Sequence, residues 1–490
     1  MWFSAIRGGV HPDGFKELSS QPPIKILPLS PELRVSLRQH AGSEAVAVVK
    51  PGDKVLKGQL IAQPGPGLSA PVHAPTSGEV IAVKEVVAAH PSGIAAKAVI
   101  IAVDGRDQWL PTLATLDPFS IDKKSLAERI SAAGIVGMGG AAFPAAVKLS
   151  SATNREIDTL IINGGECEPY LTADDRLMRE RADSIVLGAR LIAHIINARQ
   201  IIMAIEDNKR EAIAAMNKAC QDFAPIAVKT VPTRYPMGSA KQMIQAVTGK
   251  EVPAGGRSSD VGVLMHNVAT AHAISQCLTR GEPLISRVVT VSGGAIKRPQ
   301  NVEALIGTPL SHLIEHCGGT AAQVDRILLG GPMMGLTMPS TDVPLNKGAA
   351  GVLALTKREL PAPSSSPCIR CSRCVEACPM GLVPLEMANH ARAQDFDGAN
   401  EYGLSDCILC GSCAYVCPSH IPLVHYFQYA KGEQAQQHST AKRNDFTREL
   451  SEAKRIRKEK EAEAKAAAKA AKAAKRKKAP RKTTVEASES

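Results

Sequence analysis

Cys368, Cys371, Cys374 and Cys378 precede Pro379, and Cys407, Cys410, Cys413 and Cys417 precede Pro418. Each run reads C-x2-C-x2-C-x3-C-P, the spacing that holds [4Fe–4S] cubanes. Three thiolates separated by two residues wrap a short loop around three corners of a cube, and the cysteine before proline crosses to the other cluster. The expected ligand sets are therefore crossed. Cys368, Cys371, Cys374 and Cys417 hold one cluster, and Cys407, Cys410, Cys413 and Cys378 hold the other. Shared ligands keep the two clusters close, as a one-electron relay requires. Pro379 and Pro418 fix φ after each crossing ligand and stop a helix there. Gly411 and the small Ser412 let the backbone approach a sulfide. Zinc sites favour two CxxC pairs instead, and a disulfide framework needs an oxidising compartment.

Gly137-Met-Gly139-Gly140-Ala-Ala-Phe143-Pro144 is a second segment with chemistry. A glycine-rich turn that opens a helix presents backbone N–H groups to a phosphate. Pro144 suits the first helical turn, and Lys148 stands one turn further on, within reach of the same phosphate. The GxGxxG dinucleotide pattern is not met, so a plain tight turn remains the other reading. Asn163-Gly-Gly-Glu166-Cys-Glu168-Pro169 follows a strand, where sites of open α/β sheets lie; a solvated acidic loop is its alternative. Tyr235-Pro-Met-Gly238 and His266-Asn267-Val-Ala-Thr270 are two more strand-end loops with polar tips.

These residues need a scaffold, and the pattern supplies one. Thr159–Ile162, Ile201–Ile205 and Ala227–Val231 read as short strands. They alternate with helical stretches over Arg176–Ala198, with Leu177, Ile185, Ala189, Ile192 and Ile196 on one stripe, and over Lys209–Gln221. Strands alternating with helices predict a parallel, Rossmann-like sheet over 115–275. Residues 42–83 alternate short strands and turns and resemble the barrel-sandwich fold of biotinyl and lipoyl domains, within an N-terminal unit spanning 1–110. The tip where those domains carry a modified lysine reads Pro64-Gly-Pro-Gly67-Leu-Ser69 here, so a swinging arm is not implied. Val288–Ser292, Thr308–His316 and Arg326–Leu329 give a strand, helix, strand mix that suits a β-grasp domain over 280–350. Pro361-Ala-Pro-Ser-Ser-Ser-Pro367 is a linker by composition. The two-cluster domain spans 360–428, and an Ala/Lys-rich tail with partial helix occupies 432–490. The expected fold class is thus a multidomain α/β chain: barrel-sandwich head, Rossmann-like domain, β-grasp domain, ferredoxin-like α domain and helical tail.

The chain of 490 residues has a formal charge of +11, but residues 441–490 hold 17 Lys or Arg against 8 Asp or Glu, so most of the excess belongs to the tail. That tail suits anionic lipid head groups, non-specific nucleic-acid contact or a solvated spacer; no specific nucleic-acid site is expected. Only 3% of residues are aromatic, so the cores rest on Ala, Val, Ile and Leu. The first residues carry no apolar signal-peptide core, and no stretch of about 18 apolar residues predicts a membrane span. Cys167, Cys220, Cys277 and Cys317 are scattered, which fits a reducing cytoplasm.

In combination the motifs are specific. Gly-x-Gly-Gly-Ala-x-Phe-Pro, Asn-x-x-Glu-x-Glu-Pro, Tyr-x-x-Gly and Asn-Val-x-Thr occur in that order in the flavin- and NADH-binding subunit of respiratory complex I. With the head and the twin cysteine runs, residues 1–425 closely resemble the C subunits of the Rnf (Rsx) ion-translocating electron transport complexes. The resemblance implies that Gly137, Gly139 and Lys148 hold an FMN phosphate. It implies that Asn163, Glu166, Tyr235, Gly238, Asn267 and Thr270 line the flavin, and that Phe143 and Glu168 face NADH. It further implies a peripheral subunit on the cytoplasmic side of a bacterial inner membrane, partnered by integral membrane and iron–sulfur subunits. Electrons would run from NADH through FMN and two [4Fe–4S] clusters to those partners, which carry the ion translocation. No side chain is expected to act as an acid–base catalyst, because the cofactors carry the chemistry. The complex I pattern has an acidic residue where Gly165 stands, two where Ser239 and Ala240 stand, and Asn where His266 stands. Cobalamin reductases share this layout and are one alternative; an iron–sulfur relay without NADH is another.

Overall fold

The computed structural model describes residues 7–111, 117–153, 155–360 and 364–477. The first six residues, residues 361–363 of the expected linker and residues 478–490 of the tail lie outside the described residues. Alternating burial sets the N-terminal sheets. The strands are β1 (Lys25–Ile26), β2 (Glu32–Ser36), β3 (Val46–Ala47), β4 (Lys54–Val55), β5 (Leu60–Gln63), β6 (Val72–His73), β7 (Gly78–Val87) and β8 (Ala95–Val103). In β2 only Leu33 and Val35 are fully buried, the period of two expected of a sheet with one wet face. Two small sheets, ordered β2-β8-β7-β4 and β3-β5-β6, enclose Leu33, Val35, Ile61, Val72, Val80 and Ile101.

The N-terminal segment before β2 does not join that unit. Gly9 donates its N–H to the Ala377 carbonyl (2.9 Å), Val10 bridges Tyr235, and β1 pairs with a strand of the third unit. The first residues of the expected 1–110 unit thus find their backbone partners in other parts of the chain.

The central unit comprises α1 (Lys123–Ala132), α2 (Ala145–Thr153), β9 (Thr159–Gly164), α3 (Ala173–Glu180), α4 (Ala182–Ile196), β10 (Gln200–Glu206), α5 (Arg210–Cys220), β11 (Ile226–Val231), α6 (Ala240–Thr248), β12 (Val263–Asn267) and α7 (Val268–Arg280). β9 is buried along its whole length, as a strand covered by helices on both faces must be. All pairings in the order β11-β10-β9-β12 are parallel. The helix expected over Arg176–Ala198 is two helices broken at Arg181. The apolar stripe continues across the break, but the Arg181 guanidinium turns aside to pair with Glu303 and donates to His272 Nε2 (3.1 Å).

The third unit holds β13 (Ser286–Ser292), β14 (Gln300–Leu305), α8 (Leu310–His316), β15 (Arg326–Leu329), β16 (Leu336–Met338) and β17 (Gly351–Leu355). Its mixed sheet runs β1-β14-β13-β17-β15-β16 over a core that includes Val289, Val302, Leu310, Leu313 and Val352. β17 lies between β13 and β15, so the unit continues past the expected limit at 350. Lys347 is buried where units meet, and its Nζ donates to the carbonyls of Pro71 (3.0 Å) and Gly134 (2.6 Å).

The cysteine runs sit among α9 (Arg373–Glu376), α10 (Pro384–Arg392), α11 (Phe396–Glu401), α12 (Ser412–Tyr415) and α13 (Leu423–Lys477). Met387, Leu404, Leu423 and Phe427 form the small core between them. The helix α13 is continuous through Gly432, where the tail was expected to begin. Lys431 Nζ donates to the Ser405 carbonyl (3.0 Å) and Gln434 Nε2 to that of Phe396 (3.2 Å), holding the helix to this unit on both sides of the glycine. At about 100° per residue, Lys454, Lys458, Lys465, Lys469 and Lys472 share one side of its exposed length with Glu461, and Asp445, Glu449, Glu452, Glu459 and Glu463 lie on the far side near Lys442 and Lys460. Among the described residues no helix is long and apolar enough to cross a membrane.

Candidate functional site

The two cysteine runs fold alike. Arg370 and Leu409, at matching places, both take left-handed φ (54° and 57°), as do Ser372 (60°) and Gly411 (83°), and each run then enters a one-turn helix, α9 or α12. The cysteines converge on two cavities. One is lined by Cys378, Cys407, Cys410 and Cys413, with Pro379, Leu382 and Phe427 around them. The other, about 400 Å³, is lined by Cys368, Cys371, Cys374 and Cys417. Four soft thiols around each cavity are the donor set that suits iron–sulfur cubanes. Burial pushes the Cys407 thiol up to about 11, so a metal must displace its proton on binding. The two cradles differ in exposure: Cys410 and Cys413 are buried, whereas Cys368 and Cys371 are exposed.

The strand-end loops gather where the order of the parallel sheet reverses, between β9 and β12, the place at which such sheets take ligands. Asn163 closes β9: its Oδ1 accepts from Gly165 N–H (2.8 Å) and its Nδ2 donates to the Gly238 carbonyl (2.9 Å). Asn267 closes β12: its Oδ1 caps α7 at Ala269 (2.8 Å) and its Nδ2 donates to Asp174 Oδ2 (2.6 Å). The glycine turn lies against them. Met138 N–H donates to Thr270 Oγ1 (2.9 Å), Arg287 donates to the Met138 carbonyl (3.0 Å), and a Cβ on Gly139 would sit 3.4 Å from that of Asn267.

The other expected site residues have neighbours of their own. Pro144 precedes α2 in a bridge with Val136, outside the first turn, and Lys148 Nζ donates to the Met265 carbonyl instead of reaching the glycine turn. Phe143 is exposed. The Glu166 carboxylate accepts from Asp174 N–H (2.9 Å) and Asp175 N–H (3.3 Å) at the start of α3, and Glu168 accepts from Met333 and Met334 N–H (2.9 Å each). Burial pushes both glutamates up to about 7. The Tyr235 hydroxyl donates to the Cys410 carbonyl (2.5 Å). A cavity of about 330 Å³ touches the glycine turn only at Met138 and is otherwise lined by Trp109, Arg181, His272, Arg287 and Glu303 among others.

Three features suit a phosphate-bearing flavin. His266 is buried with its Nε2 unpartnered, and burial, then the charge of Lys148, holds it neutral. Lys148 itself is pushed down to about 8 by burial, so an anion would find a poorly solvated cation there. Gly140, at φ 116°, has open space where a side chain would lie.

Comparison with known proteins agrees in each unit. A model described as RnfC barrel sandwich hybrid domain matches residues 4–106, one described as Nuo51 FMN-binding domain matches 130–276, an SLBB domain matches 288–337, and a 4Fe-4S dicluster domain matches 367–421. The C subunit of the ion-translocating oxidoreductase complex of Rhodobacter capsulatus is 50% identical over 436 residues, 89% of this chain and 84% of that protein. The chain belongs to this family of C subunits. The Salmonella paratyphi A member is 45% identical over 472 residues, 94% of this chain but 64% of its own length. An NAD+-reducing [NiFe]-hydrogenase in its H2-reduced state overlaps 66% of this chain and 63% of its own, with 17% identity and a TM-score of 0.46.

In this family member one departure from the complex I pattern, Gly165, sits at a close contact. A Cβ on Gly165 would lie 2.7 Å from Met243 Cε, and one on Gly238 would lie 2.4 Å from the Gly165 carbonyl. The two backbones touch, which forces glycine at 238, and a Cβ at 165 would also crowd Gly238 Cα at 3.3 Å. Ser239 and Ala240 are the cap and first residue of α6.

Several residues that build the site were not singled out in the sequence. Lys16 Nζ donates to the carbonyls of Glu166 (2.6 Å), Glu168 (2.8 Å) and Leu171 (2.5 Å), fixing the loop after β9 from about 150 residues away. Lys209, buried, pairs with Glu206 and also reaches the Glu166 carbonyl (3.4 Å). Only the Met333 loop carried a local signal, the Gly330-Gly331-Pro332 turn.

Proposed function

We propose that this chain takes electrons from NADH at the β9/β12 end of its parallel sheet and passes them through the inner cradle, then the outer one, to membrane-bound partners. As a member of its family, with FMN-binding and 4Fe-4S dicluster domains, the chain is an electron-transfer subunit of an ion-translocating complex. When bound, FMN supplies the exchange between a two-electron hydride donor and one-electron acceptors. Gly137 and Gly139 would hold its phosphate end, and Lys148 would join them only by leaving the Met265 carbonyl. Asn163, Gly238, Asn267 and Thr270 would shape the rest. The crossed sets of Cys378, Cys407, Cys410, Cys413 and of Cys368, Cys371, Cys374, Cys417 would each hold one [4Fe–4S] cluster.

The observation that carries the order is the Tyr235 hydrogen bond to Cys410, which fastens a strand-end loop to the buried cradle. The protein would sit on the cytoplasmic side of the inner membrane, held by integral membrane and iron–sulfur subunits. An anaerobic NADH titration of the reconstituted chain tests the reading, with flavin absorbance and cluster EPR followed together. Bleaching of the flavin with the appearance of reduced-cluster signals is expected. Reduction by dithionite but not by NADH would instead leave an iron–sulfur relay. That second reading is favoured by one observation: Glu168 is already satisfied by Met333 and Met334.

A further inference from the structure

The outer cradle opens onto an arginine-rich surface. Cys368 and Cys371 are exposed, and Ile369 between them is 68% exposed. Arg370 and Arg373 stand exposed on the same loop, and Arg392 joins Arg370 in lining the cavity, its guanidinium over the Tyr426 ring at 5.8 Å. No Asp or Glu lines that cavity, and among the described residues no carboxylate pairs with these three arginines. One exposed acid, Glu376, follows on α9. An apolar tip ringed by unpaired arginines has the layout of a transient docking face, an apolar centre within a charged rim. The inner cradle has no such opening, since Cys410 and Cys413 are buried against Tyr235 and Phe427.

We infer that the rim around Cys368 and Cys371 is the docking surface for an acidic redox protein, one whose electron acceptor is ringed by carboxylates. This rests on the outer cradle holding a cluster. One electron leaves per encounter and the acceptor is reduced by one; no bond or proton changes hands. Complementary charge would raise the encounter rate, steeply so at low salt, and the weak apolar contact of Ile369 would let the reduced partner leave.

The test uses the full chain with its clusters reconstituted and reduced by dithionite. Stopped-flow oxidation is followed with ferricyanide, an anion, and with tris(phenanthroline)cobalt(III), a cation. Raising salt from about 10 to about 500 mM is expected to slow ferricyanide about tenfold and to speed the cobalt complex. The double variant R370E/R373E is expected to reverse the ferricyanide dependence, while K465E/K469E, which removes as much charge from α13, keeps it. Power saturation of the cluster EPR signals by tris(oxalato)chromate(III) gives a readout apart from turnover, and its effect is expected to shrink only in R370E/R373E. Salt dependences that R370E/R373E leaves unchanged, with both cluster signals at full amplitude, would overturn the surface. Absence of any [4Fe–4S] signal would overturn the cluster assignment first and the surface with it.

Discussion

The inner and outer cysteine runs share spacing, backbone and a one-turn helix, yet they live in different surroundings. The outer run meets solvent, and its left-handed position is held by Ser372. The inner run is enclosed by three other parts of the chain. A Cβ on Gly411 would lie 3.0 Å from the Met333 carbonyl, Tyr235 bonds Cys410, and Lys241 pairs with Asp406 (3.0 Å) just before Cys407. Spacing alone sets which metal group a run can hold. Its neighbours set what the group can exchange electrons with.

The sharpest way to break the comparison is to remove one ligand from each run. Cys410→Ser is expected to cost about half the iron and to loosen the strand-end loops, lowering flavin retention as well. Cys371→Ser is expected to cost similar iron and leave the flavin in place. Iron and flavin analysis with EPR reads both. Equal flavin loss in the two variants would show that the inner run is no more tightly tied to the flavin side than the outer.

The wall of the inner run should respond to pH. Glu168 has its folded pKa raised to about 7 by burial, so between about 4.5 and 7 the folded chain binds more protons than the unfolded one. Stability gained at low pH is therefore lost as pH rises through that window, by about 3 kcal/mol at most. Glu166, raised likewise, contributes in the same direction. In Glu168→Gln the slope measured by chemical denaturation across this window should fall by roughly half.

Asp406 works in the opposite sense. It accepts from Gly255 N–H (3.0 Å) and from Lys241, and these hydrogen bonds hold its carboxyl below the usual range. Asp406→Ala should lower the unfolding free energy of this unit by about 1–2 kcal/mol at neutral pH, with less loss in acid. The smallest change is Tyr235→Phe, expected to cost about 1 kcal/mol. It should shift the EPR line shape or potential of one cluster while leaving the other unmoved; equal shifts in both would undo the assignment of Tyr235 to the inner cradle.

These contrasts also mark what was legible in the sequence. Ligand spacing and strand–helix alternation are local, so the cysteine runs and the parallel sheet could be read directly. The glycine turn and the asparagines at 163 and 267 were legible because positions at strand ends carry meaning of their own. What was hidden is carried by partners far along the chain. Lys16 lies in a segment with no periodicity, Arg181 interrupts a helix for a glutamate on another sheet, and Glu168 is matched to a loop at 333–334. The requirement for glycine at 238 arises from a backbone that stands 73 residues earlier, at Gly165. No window of neighbouring residues contains that information.

The helix α13 has a mechanical consequence. It is anchored at Phe427 within the core of the two-cradle unit and runs on to Lys477, exposed from about residue 435 to residue 474. At 1.5 Å per residue that arm is roughly 65 Å long. It is a pointer fixed to the unit that holds the cysteines. A tilt of about one degree at the anchor moves the tip by about 1 Å. A spin label near residue 470 would thus magnify small rotations of the cradles into distances that can be measured directly.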